Sequence, residues 1–187
     1  MQTQLLFLQG AGDGAYEEDA KLVASLRREL GAQYGIAYPA APNDGDASYG
    51  EWKTFLEAEL AKLQGPAVIV AHSVGASTLL KYLSEAKTHT SIAGIFILAS
   101  PFWGGEGWHY DGYKELMLPR DLESKLPKDT QVFAYHCRDD EVVPFDHLAL
   151  YAEILPHATI HSVQNGGHQF NDDLSQVAQD IAKVSEN

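Results

Sequence analysis

The 187 residues carry 13 Lys and Arg against 26 Asp and Glu, a formal charge of −13, with 45% hydrophobic and 21% charged residues. Such a chain buries about 70% of its unfolded surface in an ordinary globular core, and its charge sets it against nucleic acid and anionic membrane surfaces. The single cysteine, Cys137, excludes an internal disulfide and fits a reducing compartment.

The first ten residues, MQTQLLFLQG, have no basic n-region and an apolar run of only about five residues, too short for a leader or a membrane span. A cytoplasmic setting is therefore expected. LLFLQ (5–9) reads as a buried strand ended by glycine, and residues 16–30 as a helix stopped at Gly31. YGIAYP (34–39) is a second strand, and residues 48–63 a helix capped by Ser48 with Glu51 three positions on. AVIVA (67–71) precedes a helix over 74–86, and SIAGIFILAS (91–100) is a long apolar strand. QVFAYHC (131–137) and ATIHSV (158–163) are the last two strands, separated by a helix at about 145–154 and followed by one over about 171–184.

Fully apolar strands alternating with helices predict a three-layer α/β/α sandwich around a six-stranded, mostly parallel sheet. No repeat, low-complexity tract or linker divides the chain, so residues 1–187 are expected to form one domain. The segment 101–128 is long for a connection in such a fold and is expected to act as a lid or pocket element.

In VIVAHSVGAST (68–78) a strand runs through Ala71-His72-Ser73-Val74-Gly75 into a helix. This is the layout of the nucleophile elbow, G-x-S-x-G, with Ala71 in place of the first glycine. The blander alternative is a serine that merely caps a helix. A nucleophilic serine needs a base, and the base an orienting carboxylate, in the order Ser, Asp or Glu, His. Arg138-Asp139-Asp140-Glu141 follows the fifth strand and Asn165-Gly166-Gly167-His168 the sixth. In a parallel sheet these stand on the same edge as Ser73.

The chain resembles the α/β-hydrolase superfamily, in particular its small single-domain serine hydrolases of the retinoblastoma-binding protein 9 type. The resemblance rests on AHSVGAS, on D-x-V-V-P at 140–144 and on GGHQF at 166–170; GAGDGAY and SPFW are similar in position. It implies a sheet without the leading antiparallel hairpin of larger hydrolases. It also selects Asp140, four residues before the proline, over the runner-up Asp139 and then Glu141. His72, inside the elbow, is read as structural.

The expected roles are nucleophile for Ser73, base for His168 and orienting acid for Asp140. Gly166 and Gly167 are expected to let the chain turn so that His168 reaches back. The amides of Ala11 and Val74 are expected to form the oxyanion hole. Phe102, Trp103 and Trp108 are the expected pocket walls.

Gly10-x-Gly12-x-x-Ala15 also matches the dinucleotide fingerprint, but no acidic residue ends the second strand, and Asp13, Glu17, Glu18 and Asp19 crowd the helix start. No cofactor is expected. The eight histidines show no metal-ligand spacing, so no metal is expected either. His89, His109, His147 and His157 are read as solvent-facing, His136 and His161 as core or supporting residues. Cys137 is read as inert, and Asp44, Asp46 and Asp111 as turn residues. The functional expectation is a hydrolase of small carboxylic esters or related acyl compounds, with peptidase activity not separable from it. The alternative is a binding or scaffold protein on the same fold, with an unspecified protein partner; neither nucleic acid nor membrane is an expected partner.

Overall fold

The computed structural model describes residues 2–88, 90–105 and 111–185. Six strands, β1 (Thr3–Leu8), β2 (Tyr34–Ala37), β3 (Ala67–His72), β4 (Ile92–Leu98), β5 (Gln131–Cys137) and β6 (Thr159–Val163), form one sheet in the order β2-β1-β3-β4-β5-β6. Every pairing is parallel, going one step beyond the mostly parallel sheet expected.

Alternate strand residues point to opposite faces, and each face is covered by helices. On one side Leu5, Phe7, Val68, Val70 and Phe96 pack against α1 (Ala15–Leu30) and α5 (Ser175–Ser185). On the other, Leu6, Ile69, Ile95 and Ile97 pack against α2 (Tyr49–Leu60), α3 (Ser73–Glu85) and α4 (His147–Ile154). Burial on both faces explains why β3, AVIVAH, is buried at every position and shows no polar alternation. Ser48 caps α2 as expected, its hydroxyl oxygen accepting from the Glu51 amide.

Several boundaries differ from the sequence reading; β2 ends at Ala37 rather than at residue 39, and α2 at Leu60 rather than at residue 63. β1 starts at Thr3 rather than at residue 5. The last helix starts at Ser175 rather than about 171, because Phe170, Asn171 and Asp172 all take positive φ (51°, 51° and 56°) and turn the chain before it can coil. Beyond β4, Leu116 and Leu122 are buried, so part of the 101–128 segment is core. Among the described residues no helix is long and apolar enough to cross a membrane.

Parallel registry brings the carboxyl ends of β1, β3, β5 and β6 to one edge, with Leu8 opposite Ala71 and Cys137 opposite Val163. The loops leaving that edge carry the residues singled out above.

Candidate active site

β3 ends at His72, and α3 begins at Ser73 with φ 49°, a conformation that L side chains avoid. The strained turn holds Ser73 in the lining of a cavity of about 410 Å³. Its geometry depends on two glycines. A Cβ on Gly75 would run into the Gln9 carbonyl oxygen, and one on Gly10 would stand 3.2 Å from the Ser73 Cβ. Ala71, in place of the motif's first glycine, is fully buried.

Three consecutive acids after β5 all reach the loop after β6. Asp139 Oδ1 accepts from the amides of Gly166 (2.9 Å) and Gly167 (3.0 Å). Glu141 Oε2 accepts from the His168 amide at 3.1 Å. Asp140 alone meets the ring: His168 Nδ1 donates to its Oδ2 at 2.9 Å. Gly166 and Gly167, at φ 158° and 61°, take turns open mainly to glycine.

Asp140 also accepts from the amides of Val142 and Val143, both at 2.8 Å, and from His136 Nε2 at 3.0 Å. Burial opposes its ionisation, but the hydrogen bonds from His136 and His168 outweigh that, and the carboxyl stays well below its ordinary range. Because Asp140 fixes the proton on Nδ1, neutral His168 presents a bare Nε2. Burial, followed by the positive charge of neighbouring His72, keeps the His168 pKa below its ordinary value against the pull of Asp140. Ser73 Oγ makes no hydrogen bond to another described residue.

The cavity is walled by Ala11, Val74, Trp103, Tyr113, Val142 and Val143. The amide of Gly10 is occupied by Asp19 Oδ2 (2.8 Å) and that of Gly12 by the Asp44 carbonyl (2.7 Å). Between them, Ala11 N donates to no described residue, and neither does Val74 N at the start of α3.

The family model described as serine hydrolase matches residues 36–177. The chain belongs to the serine hydrolase family. No curated protein sequence matches it. Among solved structures, the ydeN gene product of B. subtilis superposes with a TM-score of 0.74 at 17% identity, covering 100% of both chains. An esterase from Exiguobacterium antarcticum gives 0.69 at 13%, covering 99% of this chain and 92% of that one. The esterase domain of a Rhodothermus marinus protein gives 0.69 at 15%, with 98% and 85% covered. At such identities the likeness is one of fold, the α/β-hydrolase fold.

Some residues fall elsewhere than expected. Phe102 does not wall the cavity beside Ser73. Its amide is held by His147 Nδ1 at 2.8 Å and its ring lies edge-on to Tyr151, turning it into a neighbouring groove. His147, expected in solvent, is 2% exposed because it starts the inward face of α4, and burial lowers its pKa to about 4. His157 is open to water, with its side chain 89% exposed. Trp108, His89 and His109 lie outside the described residues. Cys137 is buried, its thiol pushed up to about 12 by burial first and then by the three acids that follow it. It is no thiolate nucleophile.

Sequence reasoning did not find the clamps made by Asp139 and Glu141, or the bond from His136 to Asp140. The three-acid run was a visible signal for the first two. The last needed the knowledge that a strand-end histidine folds back on a carboxylate four residues later.

Proposed function

We propose that this serine hydrolase cleaves small carboxylic esters or related acyl compounds through an acyl-enzyme on Ser73. The reading is carried by the Asp140–His168 bond on the same sheet edge as the strained Ser73 turn. Ser73 Oγ attacks the carbonyl carbon as His168 Nε2 takes its proton, and Asp140 stabilises the resulting imidazolium. The carbonyl oxygen becomes an oxyanion held by the amides of Ala11 and Val74, which have no other partner among the described residues. Collapse expels the alcohol, which receives the proton from His168. Water activated by the same base then attacks the acyl group, regenerating Ser73 and releasing the acid.

The cavity sits near the small end of ligand sites, and its Trp103, Tyr113 and valine walls suit a short, uncharged acyl group. The net charge of −13 disfavours anionic substrates. The names of the esterase neighbours agree with this reading. Hydrolysis of short-chain p-nitrophenyl esters by the wild type, lost in Ser73→Ala, is the test. A folded wild type without turnover over uncatalysed hydrolysis contradicts it.

A further inference from the structure

A second carboxylate–imidazole pair lies beneath the site, and no step above uses it. Asp19, from α1, and His72, the residue before Ser73, are each 1% exposed. His72 Nδ1 lies 2.9 Å from Asp19 Oδ1, and its Nε2 lies 3.0 Å from the backbone oxygen of His168. A carboxylate and a carbonyl oxygen can only accept, so both ring nitrogens donate. A ring donating from both nitrogens is an imidazolium.

Asp19 accepts two further hydrogen bonds, from the Gly10 amide at 2.8 Å and from Gln169 Nε2 at 3.1 Å. The buried pair therefore touches three segments. It grips the loop after β1 through Gly10, the end of β3 through His72, and the loop after β6 through His168 and Gln169. These segments carry the Ala11 amide, the Ser73 hydroxyl and the His168 ring.

We infer that Asp19 and His72 are positioning residues for hydrolysis, an ion pair that fixes the base loop and the amide loop against the strand delivering Ser73. The inference rests on the roles proposed for Ser73 and His168. A neutral His72 would leave one nitrogen bare against an oxygen, so the geometry needs the charge as well as the ring. Stability alone is a poor reason to keep such a pair, since burying two charges costs much of what their attraction returns.

The charge has a second consequence. His72 is faced by Asp19 from α1, by Asp140 from the β5 loop and by His168, whose ring centroid is 4.7 Å from its own. His168 is faced by Asp140, Asp19 and His72, with Glu141 on its amide. The phenol of Tyr38, which also feels Asp19, stays neutral because burial and that charge both raise its pKa. Burial opposes the His72 charge, Asp19 outweighs it, and the pKa of His72 rises. The cation in turn helps to keep His168 neutral and ready to accept a proton.

Nitrogen-15 NMR of the histidine rings tests the inference without any substrate. In the wild type at neutral pH, His72 shows two protonated ring nitrogens and His168 one. Asp19→Asn supplies one side-chain acceptor where three donors converge, so His72 loses its proton and the His168 pKa rises. The acid limb of kcat/KM then moves to higher pH, and kcat falls about 10- to 100-fold with little change in KM. His72→Gln removes the same charge and moves the limb the same way should Asp19→Asn fail to fold. A wild-type His72 that is neutral at neutral pH, or a His168 pKa unmoved in the folded variant, overturns the inference. Loss of ester turnover by the wild type would overturn the hydrolase reading instead, while the ring spectra still decide this one.

Discussion

Ser73 owes its position to its neighbours as much as to its own backbone. Gly75 lets α3 come down onto the Gln9 carbonyl, so Gly75→Ala must push the elbow away from β1. The expected cost is about 1–3 kcal/mol, read as a lower urea midpoint at unchanged slope. Asp140 is the acceptor for two histidines and two amides, all of them donors. An asparagine there turns an amide N–H toward one of those donors and frees His168 to take the wrong tautomer. Asp140→Asn is expected to lower kcat by about 10⁴-fold with the protein still folded, measured with a p-nitrophenyl ester and far-UV circular dichroism. Asp140, which meets the His168 ring, was singled out in the sequence only through the family resemblance, which sets the acid four residues before Pro144. The bond from His136 was not legible, because it depends on how a strand end folds back.

At the scale of elements, the loop after β6 is held by the loop after β5 as well as by its own short-range bonds, such as that from the Asn171 amide to the Gly166 oxygen at 2.8 Å. Asp139, although exposed, accepts from two consecutive glycine amides, and those bonds lower its pKa. Asp139→Ala frees the turn that aims His168, and kcat should fall about 10- to 100-fold; Asp139→Asn, which keeps one acceptor, should retain more activity. The pH profile follows from His168, whose pKa lies below the ordinary 6.5. Its protonated form cannot act as a base, so kcat/KM should be full at neutral pH. It should fall only as acid takes the pH past a midpoint below 6.5. A midpoint above that value would contradict the environment described for the ring. The strands were legible because burial on both faces demands unbroken apolar runs. The start of α5 was not, since nothing in Phe170-Asn171-Asp172 announces three left-handed residues in a row. His147 misled for a related reason: a polar neighbour, Asp146, precedes it, yet the face of α4 that it begins turns inward.

The whole molecule carries buried histidines of opposite sign toward acid. His147 is neutral when folded and resists protonation down to about 4, whereas in the unfolded chain it charges below 6.5. The unfolded state thus binds more protons between those values, and stability falls as pH drops through that window. Asp140 extends the loss below the ordinary carboxylate value of 3.8. His72, with a raised pKa, stabilises the fold below 6.5, and its contribution disappears as pH rises through its folded value. Thermal melts across pH should show a declining Tm between 6.5 and 4, a decline that His147→Gln reduces. The fold and the serine–acid–histidine order were legible across the chain. The contacts that unite the site were not, because Asp19 and His72 meet across 53 positions and Gln169 and Asp19 across 150. The central claim is that Ser73 is an activated nucleophile. Intact-protein mass spectrometry after treatment with a fluorophosphonate tests it most directly. The account predicts one covalent adduct per folded chain, located on Ser73 by peptide mapping and absent from Ser73→Ala. A folded protein that takes up no adduct, or takes it up on another residue, would contradict it.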